Sequence, residues 1–305
     1  WVEQFGKGDD VALSLDDVTV DQNNSIYIVG SYNWWISPKM SVGSCVFPDM
    51  IPLFVMKLNP NGNCSWITNV TLSVSGGEPQ ETMTSITHDL LGNTYVTGYF
   101  DGVIGSGTYN FNNNNSTAFS FTPSSQHHGF VAKINSFGEW QWLEDYPDTR
   151  IRSVGVISHN QIIISGEVMV IQNSWESQPF IQSVDSNGNQ DWIKYVTLGA
   201  DNSNSGRGNM RFEELSIGSS GEIVVIGEWK ELYQSAASHR SFYFDSHSIN
   251  STDASMDHKQ STFVAKMDNS GNWQWAKTWG NVENSNYGYS VDVDSNDNVF
   301  IAGSA

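Results

Sequence analysis

The chain has 305 residues, 38% of them hydrophobic, and carries 33 Asp and Glu against 14 Lys and Arg, a formal net charge of −19. So acidic a chain is excluded as a nucleic-acid binder, because phosphate recognition needs a basic face, and an anionic membrane surface is disfavoured for the same reason. No apolar run approaches the roughly 18 residues of a membrane helix, so no membrane insertion by this segment is expected.

Two phrases alternate along the chain. The first reads VDQNNSIYIVGS, HDLLGNTYVTGY, SHNQIIISGE, GSSGEIVVIGE and VDSNDNVFIAGS, closing on Gly30, Gly98, Gly166, Gly227 and Gly303. The second reads FVMKLNPNGNCSW, FVAKINSFGEWQW, FIQSVDSNGNQDW and FVAKMDNSGNWQW. In it Gly62, Gly138, Gly188 and Gly271 precede Trp66, Trp142, Trp192 and Trp275 by four residues. Self-similarity at this scale marks a repeat architecture.

In chain order, Trp1 to Gly6 (WVEQFG) aligns with WAKTWG at 275–280 and reads as an orphan fourth strand. Repeat units then follow at approximately 7–69, 70–147, 148–197 and 198–280, with 281–305 plus 1–6 as the fifth. Within a unit the first strand alternates, as in YGYSVDV at 287–293. A tight turn rich in Asn, Asp and Gly follows, where positive φ is tolerated. The second strand is apolar on both faces, as in IIIS at 162–165 and IVVI at 223–226, which suits a strand covered on both sides. A long connection leads to the third strand, a second tight turn, and an alternating fourth strand such as WQWLEDY.

Four strands joined by hairpins make a small antiparallel sheet. Such sheets packed face to face around an axis make a β-propeller. The expectation is all-β: a single β-propeller domain over 1–305, with four-stranded antiparallel blades. About five blades are represented, and the terminal blade is either split between the ends or incomplete. The phrase Trp residues are expected to fill the space between blades. A chain that starts inside a repeat is expected to be part of a longer protein.

The phrases FVAKxxxxGxWxW and DxxGNxYVTGxF resemble the SBBP-type repeats of bacterial and archaeal surface proteins, a β-propeller repeat family. The resemblance covers nearly the whole chain and is weakest at 151–196, where VISHNQIIISG lacks the Asp-Gly-Asn turn. It implies an extracellular or cell-surface location within a multidomain protein. It implies no fixed enzymatic activity and supplies no catalytic residues.

Strand parity places all tight turns on one face and the long connections on the other. Recognition usually sits on long loops held by a rigid scaffold. The aromatic candidates there are Trp34, Trp35, Tyr109, Phe111, Trp175, Trp229 and Tyr233. They read either as rings for stacking on a sugar or peptide, or as packing for extra β-ribbon that extends each blade. Asp292, Asp294 and Asn296 have Ca²⁺-loop spacing but also sit at a hairpin, and no other cofactor is implied. His127 and His128 are adjacent, so a strand would send them to opposite faces; both are read as solvated loop residues. Asp16, Asp17, Glu213, Glu214 and Asp292 fall on or near first strands and can line a central channel. Cys45 and Cys64 are expected to form a disulfide along one blade edge. No catalytic motif is present. The expected function is a non-enzymatic scaffold or adhesion module whose partners are a cell-surface protein or glycan and neighbouring domains of its own polypeptide. A lectin is the alternative, and a propeller hydrolase or lyase a third.

Overall fold

The computed structural model describes residues 13–32, 41–42, 45–46, 53–74, 80–102, 107–113, 116–169, 177–198, 208–231, 241–250, 260–279 and 285–304. Every regular element among them is a β-strand. The chain divides into two compact units, Trp1–Val154 and Gly155–Ala305.

In the first unit, β1 (Leu13–Val20) and β2 (Ile26–Tyr32) form a hairpin, followed by the short ladder of β3 (Ser41–Val42) and β4 (Cys45–Val46). Then β5 (Leu53–Leu58) pairs antiparallel with β2, and β6 (Cys64–Val74) with β5. The next sheet runs β7 (Gln80–His88), β8 (Thr94–Asp101), β11 (His127–Ile134), β12 (Trp140–Pro147), all antiparallel. Between β8 and β11 lies a ribbon, β9 (Gly107–Asn113) and β10 (Ser116–Phe121). It leaves its own sheet and adds to the outer edge of the preceding one, with β9 on β6 from Asn69↔Asn112 to Val74↔Gly107.

The boundary between units falls within β13 (Thr149–Ser158). In the second unit β14 (Gln161–Met169), β15 (Ser177–Val184) and β16 (Gln190–Tyr195) pair antiparallel in that order. The two-residue β17 (Thr197–Leu198) follows. Next come β18 (Gly208–Ile217) and β19 (Ile223–Glu231), then the ribbon β20 (Ser241–Phe244) and β21 (His247–Asn250). The sheet is completed by β22 (Gln260–Met267) on β19 and β23 (Trp273–Trp279) on β22. The ribbon again joins the preceding repeat: β20 pairs with β17. The hairpin of β24 (Tyr287–Val293) and β25 (Val299–Ser304) closes the sequence.

The fold is therefore all-β, built of four-stranded antiparallel sheets. The second strands are apolar because they are covered on both sides. Tyr27 and Val29, Tyr95 and Val96, Ile162 to Ile164, and Val225 and Ile226 are all fully buried.

Eight tight turns share one geometry: 21–25, 59–63, 89–93, 135–139, 185–189, 218–222, 268–272 and 294–298. In each, the first residue's N–H donates to the fifth carbonyl and the fourth N–H donates to the first carbonyl. The fourth residue has positive φ, from 59° at Asn24 to 89° at Gly188, which is why glycine dominates there. In seven of them an Asp or Asn comes first, and its side-chain oxygen accepts the N–H of the third and fifth residues.

The phrase tryptophans are less buried than expected. Trp66, Trp142, Trp192 and Trp275 are only half-buried. The deeply buried indoles stand two residues earlier, at Trp140 and Trp273, and pack edge-on against Phe111 and Phe244 of the added ribbons. Trp66 instead lies over the turn of the following repeat. Its Nε1 donates to the Ser136 carbonyl at 3.1 Å, and a Cβ on Gly138 would come within 2.7 Å of its ring. Trp192 covers Gly271 in the same way. These rings shield hairpin backbone, so they stay partly wet.

The Cys45–Cys64 disulfide is present, with Cα atoms 5.8 Å apart, and ties β4 to the start of β6.

Candidate functional site

The first strand of a repeat carries a β-bulge in β1, β7, β18 and β24, between Leu15 and Asp17, Met83 and Ser85, Phe212 and Glu214, and Gly288 and Ser290. A bulge leaves backbone groups without a ladder partner. Asp17 Oδ2 accepts the Ile86 N–H at 2.8 Å, just past the bulge of β7. Glu214 Oε2 accepts the Val291 N–H at 2.7 Å, just past the bulge of β24. Burial pushes the Asp17 carboxyl up and wins over the amide bonds that lower it; burial also raises Asp16. Asp17 and Glu214 are thus spent on joining one repeat to the next within each unit.

A denser cluster stands in the second unit. Glu228, buried on β19, accepts from Arg211 at 3.2 Å and from the Gln260 amide, while Arg211 also pairs with Glu213. Burial, and next the negative charge of Glu213, push the Glu228 carboxyl up to about 7. Glu228 therefore holds a proton near neutrality. Chemically this is a proton store facing an arginine, and Gln260 fixes its orientation.

In the first unit Asp101 accepts from Arg150 at 2.6 Å and pairs with His127 Nδ1 at 2.8 Å. Burial opposes ionisation of Asp101, but the His127 and Arg150 bonds outweigh it and hold the carboxyl below its usual range. Arg150 and Arg152 both lie 5.4 Å from the Tyr99 ring centre. His127 and His128 do face opposite sides of β11, but His128 is not a solvated loop residue: it is 1% exposed. The Ser124 N–H donates to its Nε2 at 3.1 Å, so the neutral ring carries its proton on Nδ1, towards Asp145 at 3.5 Å. Burial lowers its pKa.

The aromatic candidates divide. Tyr109, Phe111 and Trp229 are not presented to solvent, and this corrects their reading as ligand-stacking rings. Tyr109 and Phe111 are strand residues of the β9–β10 ribbon, buried against Phe100, Phe121 and Phe130. Trp229 is buried against Phe242 of the β20–β21 ribbon. A ribbon laid on a sheet edge buries alternate residues, and these are the ones that face inward. Trp34, Trp35, Trp175 and Tyr233 lie outside the described residues, as does the segment 1–6.

Asp294 holds the 294–298 turn through the Asn296 and Asn298 N–H groups. Asp292 accepts from the Val293 N–H and from Ser216 Oγ. The two carboxylates serve separate donors. Among the described residues no group of three His, Cys, Asp or Glu converges as metal ligands.

One surface feature has no structural use. The second and third turn residues are polar or proline at six of the eight turns, but are Leu90 and Leu91 at one and Ser136 and Phe137 at another. Leu90 is 82% exposed, Leu91 68% and Phe137 76%. The two turns are neighbours, since a Cβ on Gly92 would stand 3.4 Å from Ser136 Cβ. The turn needs only its Asx residue and its glycine, so these side chains are free of the fold. The strand-parity argument points to the long connections rather than to these tips; their signal in the sequence is the departure from polar residues at the turn tips.

No protein-family model and no curated protein matches the chain. Among solved structures it is similar to a protein of unknown function from Dyadobacter fermentans DSM 18053. That likeness spans 94% of this chain and 72% of the other at 11% identity, with a TM-score of 0.46.

Proposed function

We propose that the chain is a β-propeller of SBBP-type repeats that works without catalysis, as a secreted or cell-surface interaction module. The repeated four-stranded sheets and the two ribbons that extend a preceding repeat support the architecture. The disulfide suits an oxidising compartment. The observation that carries the function is the exposed trio Leu90, Leu91 and Phe137 on adjacent turns of a rigid sheet. Neighbouring large apolar side chains left in water mark a contact surface. The inward placement of Tyr109, Phe111 and Trp229 removes support from a lectin reading based on those rings.

A glycan array run on folded protein tests this. The expected result is no sugar binding at millimolar concentration. Sugar binding that persists in a Leu90→Ser, Leu91→Ser, Phe137→Ser variant would replace the proposal with the lectin.

A further inference from the structure

We propose that His128 is an acid-operated clasp: its neutral ring fastens the return leg of the β9–β10 ribbon, and its imidazolium lets that leg go. The clasp is independent of the interaction-module reading and uses none of its surface.

The ribbon leaves its own sheet after β8 and pairs with β6 of the preceding one. Residues 122–126 (TPSSQ) then bring the chain back to β11. Two fastenings of this leg are indifferent to pH. The Gly102 N–H donates to the Gln126 carbonyl at 3.1 Å, and Ser125 Oγ accepts the Asp148 N–H at 3.0 Å while donating to the His127 carbonyl at 2.7 Å. The third changes with protonation: His128 Nε2 accepts the Ser124 N–H at 3.1 Å, with Ser124 Oγ 3.3 Å away. Strand pairing does not call for a histidine here. In the other ribbon-bearing repeat Ser261 faces Trp229 as His128 faces Phe100.

The other ring nitrogen supplies the second position of the clasp. Nδ1 is buried and makes no hydrogen bond among the described residues, while Asp145 Oδ2 of β12 stands 3.5 Å from it on a side chain that is half-exposed. A neutral imidazole has one donor and one acceptor, and the Ser124 amide occupies the acceptor. A proton added to Nε2 sets N–H against N–H, so the Ser124 bond is lost. The same proton makes the ring a cation whose Nδ1–H faces a carboxylate. The ring thus exchanges Ser124 for Asp145. The β9–β6 ladder is main-chain bonding and stays, so the release is confined to 122–126.

The surroundings set the direction. Burial opposes the charged ring and outweighs Asp145 and Asp148, the two carboxylates that favour it. β8 and β10 present only the Phe100 and Phe121 rings, the latter 5.9 Å from the imidazole centre. His127, with Asp101 and Arg150 bound to it, faces the other side of β11. The fastened ring therefore takes a proton less readily than an ordinary histidine at 6.5. Closure is favoured at neutral pH and weakens as pH falls below that range.

The test follows amide exchange of the whole folded chain from pH 8 to pH 5, each rate taken relative to the unstructured rate at the same pH. Protection of the Ser124 amide should fall about tenfold per pH unit below the His128 midpoint, while Val131 within β11 keeps its protection. His128→Gln offers a carboxamide oxygen in place of Nε2 and does not titrate, so its Ser124 amide should stay protected at pH 5. Asp145→Asn removes the attraction for the cation and should move the midpoint of the otherwise intact histidine to lower pH. Wild-type Ser124 protection that is flat across this range overturns the proposal. So does an equal fall in His128→Gln, or a midpoint that Asp145→Asn leaves in place.

Discussion

Asp17 Oδ2 receives the backbone N–H of Ile86 at 2.8 Å, 69 positions away. Glu214 does the same for Val291, 77 positions away, at 2.7 Å. Each carboxylate stands just past a bulge in one first strand and serves the amide just past the bulge in the next. Removing the acceptor leaves a half-buried amide without a partner. Asp17→Ala and Glu214→Ala should each destabilise their unit by about 1–3 kcal/mol, read by chemical denaturation. Substitutions costing less than about 0.5 kcal/mol would show that solvent replaces the carboxylate.

Tryptophan burial separates two indoles on one strand. Trp140 is 3% exposed and meets Phe111 edge-on at 5.0 Å between ring centres. Trp140→Ala should cost about 3–5 kcal/mol, as large-to-small changes in packed cores do. Trp142, half-buried beside Tyr95, should cost about 1–2 kcal/mol on replacement by Ala. A reversed order of the two losses would contradict the burial assigned here.

How much of this was legible depended on period and on context. The hairpins, the tight turns and the doubly covered second strands follow from local rules, namely an Asx residue first, a glycine fourth, and an apolar run between. Cys45 and Cys64 were readable because both fall on one repeat. The destination of the ribbons was not. GTYNFNN alternates, but nothing local says that it will pair with β6 of the previous repeat. Tyr109 and Phe111 therefore read equally as stacking rings or as packing for an added ribbon, with no sign of which sheet the ribbon joins. The tryptophans misled for a related reason: the Trp142 position is Trp in all four phrases whereas the Trp140 position is Cys64 and Gln190 in two of them, and recurrence does not say which face the ribbon covers.

Glu228 sets a pH dependence. Its folded-state pKa is about 7 against 4.5 for the ordinary carboxyl, so the folded chain binds a proton that the unfolded chain releases between those values. This contribution is fully present below pH 4.5 and is lost as pH rises through 7. The melting temperature should fall from pH 5 to pH 8, and Glu228→Gln should flatten that slope. Asp185, Asp268 and Asp294 act with the opposite sign, because turn hydrogen bonds lower their pKa values. Their contribution disappears only as pH falls through the carboxylate range. An unchanged pH 5–8 slope in Glu228→Gln would remove Glu228 as its source.

The disulfide closes a separation of 19 residues. Loop closure of that size contributes roughly 3 kcal/mol. Intact mass with and without reductant should differ by two hydrogens, and Cys45→Ser with Cys64→Ser should lower the denaturation midpoint. Two free thiols in the oxidised preparation would contradict the bridge.

In the proposed function this scaffold makes its contacts through the apolar turn tips while its acidic and aromatic clusters hold the fold. Retention of labelled protein on intact cells measures it most directly, using wild type and the Leu90→Ser, Leu91→Ser, Phe137→Ser variant at matched melting temperature. The account predicts retention of the wild type that protease treatment of the cells abolishes and that the variant lacks. Equal retention of the variant, or release of the wild type by free sugar, would contradict it.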